Sequence, residues 1–343
     1  MINKVLIVGQ GSIGKRHLRL MREVLQSAEI MVLKHSKTSE IPEFADGYFY
    51  TLEEAIIFDP DIAIIANPAT SHIETARALA EIGAHILIEK PISSSIDGIE
   101  DIIEICEKNR TILMTGYNLR FSESLNYFHE QLDLNIIGQL LSVRCEVGQF
   151  LPSWRPEQNY RNTVSANSKL GGGVLLELSH EIDYIRWIFG EIQWVIAKLL
   201  RQSKLEIDVE DTAHLLLGIL SKGNKPSFVA TLNLDFIRHD RTRLCTAIGE
   251  LGSLRWDGII GEVSIFRPGS ESWEILLSED STRDDTYLCQ LNHFIECIEF
   301  GRKPRVSGVE GLEVMKIIEA ARISNSLDDQ IFVVHDSQKM ELS

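Results

Sequence analysis

Near the start of the chain stand Val5-Leu6-Ile7-Val8 and, directly after them, Gly9-Gln10-Gly11-Ser12-Ile13-Gly14. Four consecutive apolar residues predict a buried strand, and the glycines have the spacing G-x-G-x-x-G at the start of a predicted helix. In such a turn the first glycine makes the tight bend, the second lets a pyrophosphate approach the backbone, and the third allows close helix–strand packing. Amides at the helix start then face the phosphates. We therefore expect a dinucleotide to bind at Gly9, Gly11, Ser12, Ile13 and Gly14; the alternative is a purely structural glycine turn.

The first third of the chain continues by alternating short apolar strands with amphipathic helices. Buried strands are predicted at 30–33, 61–66, 84–88 and 111–114, and helices at 14–25, after Ser71 and at 96–106. Ser71 with Glu74 three residues later predicts a capping box. Strands that alternate with helices of this length imply βαβ units and a parallel sheet. Residues 1–118 are therefore expected to form an α/β dinucleotide-binding domain.

After Gly116 the pattern changes to alternation. Apolar and charged side chains alternate at 143–147, and similar segments follow at 228–234, 242–248, 253–256, 264–266 and 273–277. Helices are predicted near 121–132, 177–189, 287–300 and 309–326. Half-exposed strands joined by tight turns predict a mostly antiparallel open sheet. We expect residues 119–343 to form one α+β domain.

Composition excludes several classes of protein. A chain of 343 residues exceeds what one hydrophobic core usually organises. Its formal net charge of -16 argues against binding to nucleic acid or anionic membranes, because both reward surplus Lys and Arg. The 5 cysteines are scattered without a C-x-x-C pair, which predicts reduced thiols in a cytoplasmic protein and no zinc site. We find no signal peptide and no apolar run of about 20 residues, so we expect a soluble protein.

Glu89-Lys90-Pro91 follows the apolar run at 84–88. A lysine at the carboxyl end of a buried strand reaches the crevice where open α/β sheets bind their ligands. Pro91 disfavours a helical backbone at Lys90 and holds it extended. Desolvation and a nearby oxidised nicotinamide would favour the neutral amine, which a lysine needs to act as a base. The alternative is a surface lysine before a turn.

The end of the second predicted strand bears on the choice of dinucleotide. Proteins that prefer NAD usually carry Asp or Glu about 20 residues after the glycines, where it binds the ribose hydroxyls. Here the segment 33–37 reads Leu-Lys-His-Ser-Lys and contains no carboxylate. Lys34 and His35 would attract a 2′-phosphate, which favours NADP over NAD. An exposed, solvated loop is the alternative.

A second group of candidates lies on the predicted helix at 177–189. Glu177, His180 and Asp183 are spaced three apart, so they would share one helix face. Asp183 or Glu177 could then orient the imidazole of His180 and stabilise its charged form. A helix-capping or partner-binding histidine is the alternative.

The loop at 154–161 is rich in arginine and aromatic residues. Its candidates are Trp154, Arg155, Tyr160 and Arg161. Arginine binds carboxylates and phosphates through two parallel hydrogen bonds, so this loop would suit a carboxylate, a phosphate or a nucleotide. A solvated or subunit-contact loop is equally consistent with the sequence.

Several of these motifs occur in the same order and at comparable spacing in one known family. They are residues 9–17, Asn67-Pro68 with His72, Glu89-Lys90-Pro91, Gly171-Gly172-Gly173 leading to His180 and Asp183, and the closing segment 291–304. Over essentially its whole length the chain resembles the glucose–fructose oxidoreductase / inositol dehydrogenase (Gfo/Idh/MocA) family. The resemblance implies a Rossmann domain followed by a sheet domain for substrate binding and oligomerisation. It also implies NAD(P)-dependent oxidation or reduction at a sugar or polyol carbon, without a metal ion.

The resemblance assigns roles to individual residues. Lys90 would contact the substrate hydroxyl and the nicotinamide ribose and act as the acid/base, with His180 assisting. The residues that it places on or near the cofactor side are Glu89, Asn67, Pro68, His72 and Asn118. The family usually carries an aspartate four residues before the histidine, where this chain has Leu176. Because the nearest acid is Glu177, one residue later, we do not assign it that aspartate's role.

We therefore expect hydride transfer between NAD(P) and a secondary alcohol of a sugar, nucleotide sugar or sugar acid, in a homodimer or homotetramer. One alternative is a catalytically silent dinucleotide- or sugar-binding regulator, against which the intact Lys90 and His180 argue. Another is a lyase or epimerase that retains its cofactor for internal redox. Accumulation of free NAD(P)H would distinguish a dehydrogenase from that third class.

Overall fold

The computed structural model describes residues 2–34, 40–220, 227–280, 282 and 284–335. The chain divides into two compact units, which we call the first and the second unit. The first comprises Met1–Asn118 with Arg283–Met315, and the second Leu119–Thr282 with Lys316–Ser343. The structure thus differs from the predicted division into 1–118 and 119–343 in one segment, 283–315.

The first unit is built on a six-stranded parallel sheet in the order β3-β2-β1-β4-β5-β6. Its strands are β1 (Lys4–Val8), β2 (Glu29–Leu33), β3 (Gly47–Phe49), β4 (Ile62–Ile65), β5 (His85–Glu89) and β6 (Leu113–Gly116). Its first four helices are α1 (Ser12–Val24), α2 (Leu52–Phe58), α3 (His72–Glu81) and α4 (Ile99–Asn109). The central strands are buried at nearly every position, as continuous apolar runs predict for a sheet covered on both faces. This strand order confirms the predicted Rossmann-type fold.

The second unit is built on a nine-stranded sheet in the order β14-β13-β12-β11-β7-β10-β9-β8-β15. Its first eight strands are β7 (Leu140–Gly148), β8 (Glu191–Leu200), β9 (Thr212–Leu220), β10 (Phe228–Asp235), β11 (Thr242–Gly249), β12 (Gly252–Asp257), β13 (Glu262–Phe266) and β14 (Glu274–Ser278). Its helices are α5 (Glu123–Asp133), α6 (Val174–Glu177) and α7 (His180–Phe189). All strand pairs are antiparallel except β7 with β10. The predicted, mostly antiparallel sheet is confirmed.

The chain closes with α8 (Asp285–Phe300), α9 (Gly308–Leu327) and β15 (Ile331–Phe332). Helix α8 packs within the first unit, because Asp284 pairs there with Arg16 and Arg19 of α1. The start of α9 packs there too, since a Cβ at Gly308 would lie 2.4 Å from Cδ2 of Leu113. These contacts explain why residues 283–315 join the first unit. Within the described ranges, no helix is both long and apolar enough to cross a membrane.

Candidate active site

The glycine turn after β1 contains two glycines that the fold itself requires. Gly9 has a φ of +98°, and a Cβ there would lie 2.7 Å from the carbonyl oxygen of Ala66. A Cβ at Gly14 would lie 2.2 Å from the carbonyl oxygen of Gly9. Both distances are far inside van der Waals contact, so larger residues would force the turn apart.

Gly11 is different, because no described residue of the chain requires a glycine there. Its φ is -65°, which any residue adopts, and a Cβ would lie more than 4 Å from every heavy atom of the described ranges outside its immediate chain neighbours. It precedes the first residue of α1, whose start has no side-chain cap. The first amides of a helix lack partners within the helix, and Ser12 and Ile13 belong to this turn. Open space beside uncapped amides fits the pyrophosphate of a dinucleotide.

Asn67 and Pro68 follow β4 at the same edge of the sheet as the glycine turn. Because β1 and β4 are parallel neighbours with Val8 opposite Ile65, their carboxyl ends lie side by side. Both residues are half-buried. Asn67 donates from Nδ2 to Thr75 Oγ1 at 3.3 Å, while its buried Oδ1 has no hydrogen-bond partner in the described part of the chain. A buried acceptor left open in this position also fits a bound dinucleotide.

Lys90 follows β5, the next parallel strand along this edge. It is half-buried, and the peptide bond to Pro91 is cis. The preceding residue, Glu89, is 6% exposed, and its Oε2 accepts a hydrogen bond from the Lys90 amide at 3.2 Å. Its Oε1 lies 2.6 Å from Nε2 of His17 on α1. Three turns predicted to border the cofactor thus meet at one sheet edge.

His72, which was predicted to line the cofactor side of this edge, is held by backbone groups. Its side chain is 2% exposed, and burial lowers its pKa. Its Nδ1 lies 3.0 Å from the carbonyl oxygen of Pro91 and its Nε2 lies 2.8 Å from that of Asn67. Since both ring nitrogens face backbone carbonyls, the imidazole has none left for a cofactor. His72 instead connects the loops that follow β4 and β5.

The residues predicted to bind a 2′-phosphate gain little support. Lys34 is 1% exposed, donates to the carbonyl oxygen of Glu40 at 2.9 Å, and lies 3.5 Å from the ring centroid of Tyr48. Its ammonium is therefore bound by protein groups. His35 lies outside the described residues.

Asn118, another predicted cofactor residue, is buried and engaged within the first unit. Its Nδ2 donates to Thr286 Oγ1 at 2.7 Å. This bond ties the end of the parallel-sheet segment to α8. The structure therefore gives Asn118 a role in holding the C-terminal segment on this unit.

In the second unit a glycine-rich loop leads to His180. A Cβ at Gly172 would lie 2.2 Å from the carbonyl oxygen of Val164, and one at Gly173 would lie 2.4 Å from Oε1 of Glu210. Gly173 also has a φ of +109°. Glu210 then accepts a hydrogen bond from the amide of Leu175 at 3.0 Å, at the start of α6. The glycines are present because backbone and a carboxylate occupy the space that side chains would need.

The predicted single helix at 177–189 is two helices in the structure. Helix α6 ends at Glu177 and α7 begins at His180, because Leu178 has a φ of -105° and a ψ of 28°. Glu177 accepts a hydrogen bond from Ser165 Oγ at 3.0 Å. Glu177 therefore lies on α6, apart from His180 and Asp183 on α7, and the three candidates do not share one continuous helix face.

Asp183 is half of a buried ion pair that the sequence analysis missed. Arg120 donates to it from Nε at 2.9 Å and from Nη2 at 2.7 Å, and both side chains are at least 95% buried. Arg120 lies 63 residues earlier in the chain. The nearest residue that the sequence singled out is Asn118, two positions before Arg120. The ion pair anchors the first turn of α7, which begins with the half-buried His180.

The arginine-aromatic loop is mostly engaged with its own unit. Trp154 donates from Nε1 to the carbonyl oxygen of Gln149 at 3.0 Å, and Tyr160 OH accepts from the amide of Glu206 at 3.3 Å. Arg161 binds both carboxylate oxygens of Glu206 at 2.7 Å and lowers the pKa of that carboxyl. Arg155 is half-buried. Of these four predicted residues, Arg161 lines a cavity of about 520 Å³ together with Arg201 and Lys204.

Both halves of the chain match known protein families. Residues 3–117 match a family model described as an oxidoreductase family with an NAD-binding Rossmann fold, and residues 129–330 match the C-terminal alpha/beta domain of that family. The chain is 22% identical over 344 residues to the myo-inositol 2-dehydrogenase of Thermotoga maritima, covering 94% of this chain and 96% of that protein.

Two solved structures show the same fold. Levoglucosan dehydrogenase in complex with NADH superposes with a TM-score of 0.82 at 19% identity, covering 97% of this chain and 99% of that one. The WlbA dehydrogenase from Bordetella pertussis, in complex with NADH and UDP-GlcNAcA, has a TM-score of 0.79 at 18% identity. That match covers 98% of this chain and 100% of the other.

Proposed function

The chain belongs to the Gfo/Idh/MocA family of oxidoreductases, and we propose that it is an NAD(P)-dependent dehydrogenase acting on a secondary alcohol of a sugar-type substrate. The observation that carries this proposal is the position of Lys90. It follows β5 at the carboxyl edge of the parallel sheet, where the glycine turn and Asn67 also lie. Ligands of open α/β sheets bind at this edge.

Gly11, the first amides of α1, Asn67 and Pro68 would hold the dinucleotide. When bound, its nicotinamide exchanges hydride with a substrate carbon. The absence of a carboxylate directly after β2 favours NADP over NAD. Lys34 supports that preference less than its sequence position suggests, because its ammonium is buried against Tyr48.

Lys90 is the proposed acid/base. In the oxidative direction its amine takes the proton of the substrate hydroxyl, and in the reductive direction it returns that proton. His180 is the proposed substrate-binding residue of the second unit. Asp183, bound to Arg120, is proposed to hold the helix turn that carries His180 in a fixed position.

The proposed substrate is a sugar, a nucleotide sugar or a sugar acid. The relatives that support it are named for inositol, for levoglucosan and for a complex with UDP-GlcNAcA. Arg155 would bind an anionic substituent of such a substrate. Arg161 would do so on releasing Glu206, whose two carboxylate oxygens it binds. We further propose a cytoplasmic homodimer or homotetramer; the location is supported by five free cysteines.

Lys90→Met tests the function. This variant should bind NADP and NAD as the unaltered protein does and lose turnover by about 10³-fold or more, because the acid/base is gone. Lys108→Met, an exposed lysine on α4, is the matched control and should keep full activity. The assay is a panel of free sugars, sugar acids and nucleotide sugars, read by nicotinamide absorbance with both dinucleotides. Unchanged turnover in Lys90→Met would overturn the mechanism, and tight cofactor binding without any turnover would favour a silent binding protein.

A further inference from the structure

The Glu89-Lys90-Pro91 segment is contacted on each side of Lys90 by a buried histidine. On one side, Nε2 of His17 lies 2.6 Å from Oε1 of Glu89. On the other side, Nδ1 of His72 lies 3.0 Å from the carbonyl oxygen of Pro91. His17 is 0% exposed and His72 is 2% exposed. Two polar rings have thus been placed where water cannot reach them.

Burying a polar ring lowers the stability of the folded state unless hydrogen bonds compensate for its desolvation. A leucine or methionine would fill either space without the cost of desolvating an imidazole. His17 also packs edge-on against the ring of Tyr287, with centroids 5.7 Å apart, so its ring is held from a second direction. The histidines therefore serve as hydrogen-bonding groups more than as packing groups.

Both histidines come from helices that begin at the proposed cofactor turns. His17 lies on α1, which starts at the glycine turn, and His72 is the first residue of α3, directly after the Asn67 turn. Nε2 of His72 also lies 2.8 Å from the carbonyl oxygen of Asn67. Each ring therefore links one of these turns or its helix to one side of Lys90.

Glu89 transmits the first of these links to the lysine backbone. Its Oε2 accepts the Lys90 amide at 3.2 Å while its Oε1 is held by His17. Gly116 lies opposite Glu89 on β6, and a Cβ there would lie 3.1 Å from Oε2. The absence of a side chain at 116 is thus what leaves room for the carboxylate in this orientation.

We propose that His17 and His72 are positioning residues that fix the backbone on both sides of Lys90. This inference rests on the proposed function, in which Lys90 is the acid/base. A displacement of about 1 Å at a reacting group can lower the rate by about 100-fold. Fixing the backbone that carries the Lys90 side chain should therefore raise kcat. Neither histidine needs to touch substrate or cofactor.

The ring atoms that make these contacts allow a crossed set of substitutions. The amide nitrogen of glutamine takes the place of Nε2 and that of asparagine takes the place of Nδ1. His17 acts through Nε2, so His17→Gln should keep the link to Glu89 and His17→Asn should lose it. The neutral ring of His72 has one N–H, and the proposal places it on Nδ1, where it donates to the Pro91 carbonyl. His72→Asn should therefore keep that link and His72→Gln should lose it. A role in filling space would not produce this crossing.

His85→Asn is the matched control. His85 begins the same strand, β5, at its opposite end, and its Nδ1 accepts a hydrogen bond from the amide of Ile112 at 3.0 Å. The His85→Asn substitution therefore removes a histidine from β5 without changing a contact of the Lys90 segment. Thermal unfolding of every variant shows that it is folded before any other measurement is interpreted.

The first measurement needs no substrate. Amide hydrogen exchange of the peptide containing residues 89–93 should become about tenfold faster in His17→Asn and His72→Gln, because their local opening costs less free energy. It should stay unchanged in His17→Gln, His72→Asn and His85→Asn. Exchange that is equally slow in all five variants would overturn the proposal.

The second measurement uses whichever sugar of the panel the unaltered protein oxidises. His17→Asn and His72→Gln should lower kcat by about 10- to 100-fold with KM changed by less than about threefold, and this loss should disappear when Lys90→Met is already present. If Lys90→Met keeps its turnover, the proposed function fails. If Lys90→Met loses turnover while both histidine variants keep kcat, the function stands and the positioning role is refuted.

Discussion

The two units hold their candidate residues in different ways. In the first unit, Gly11, Asn67 and Lys90 follow neighbouring parallel strands, and the sheet alone brings them to one edge. In the second unit, His180 follows a glycine loop whose shape depends on Glu210, and Asp183 depends on Arg120. The difference shows that regular secondary structure positions the first set, whereas individual buried charges position the second.

Arg120→Met should have the largest effect on stability and tests whether a buried charge pair positions the residues of the second unit. Removing one partner of a buried ion pair leaves Asp183 uncompensated, which should lower the free energy of unfolding of the second unit by about 3–5 kcal/mol. Urea unfolding followed by tryptophan fluorescence measures it, because all 5 tryptophans lie in this unit. Arg161→Met is the control, since its pair with Glu206 is equally bidentate but exposed, and it should change nothing measurable. Equal effects of the two would show that burial does not distinguish these pairs.

Gly173→Ala should have the next largest effect. The added Cβ combines a φ of +109° with a 2.4 Å approach to Glu210, so the second unit should lose about 1–3 kcal/mol of unfolding free energy. Gly269→Ala separates the two causes, because it has a φ of +83° and open space around its Cβ. The same fluorescence measurement applies. A loss no greater than that of Gly269→Ala would show that Glu210 does not restrict the loop.

Gly11→Ala should leave stability unchanged and weaken cofactor binding by about tenfold, because its Cβ meets only the space proposed for the pyrophosphate. Titrations followed by NADPH and by NADH fluorescence measure the two dissociation constants. Gly14→Ala is the contrasting variant, since its Cβ would lie 2.2 Å from the backbone of Gly9 and should destabilise the first unit outright. Unchanged affinity in Gly11→Ala would place the dinucleotide elsewhere.

Glu210→Gln should have the smallest effect, visible as a change in pH dependence. Burial raises the pKa of the Glu210 carboxyl above its ordinary 4.5. The folded state therefore binds this proton more tightly than the unfolded state, and the associated stability is present below pH 4.5 and lost as pH rises through the raised value. Glu210→Gln should abolish that loss while keeping an acceptor for the Leu175 amide. Urea unfolding at a series of pH values measures it, and an unchanged pH slope would contradict the assignment.

Local sequence signals failed where backbone geometry at one residue decided the outcome. The Ser71–Glu74 capping box does not form, because Ser71 has a ψ of 0° at the end of a short 3₁₀ turn instead of the extended backbone that a cap needs. Thr51 and Glu54 form a capping box at the start of α2 instead, with Thr51 extended. Both segments have a hydroxyl residue followed by glutamate three positions later, Ser71 with Glu74 and Thr51 with Glu54. The preceding turn made the difference.

Long-range contacts account for the other corrections. The sequence around 283–315 predicts helices but not the unit in which they pack, since that depends on Arg16, Arg19 and the small residues of α9. The sequence predicts that Lys34 binds a phosphate, because no residue close to it in the chain indicates that its ammonium lies over the ring of Tyr48. The two backbone carbonyls that the ring nitrogens of His72 face, those of Asn67 and Pro91, come together only in the folded sheet.

What the sequence determined by itself was the class of each sheet, the glycine turn and the location of Lys90 at a strand end. Those features follow from hydrophobic periodicity and from local backbone requirements, which a few neighbouring residues express. What only the tertiary structure decided was which polar side chains are already bound within the protein and which remain for a ligand. Hydrogen bonds and ion pairs join residues far apart in the chain, such as Arg120 with Asp183 and His17 with Glu89, and no local pattern encodes their meeting.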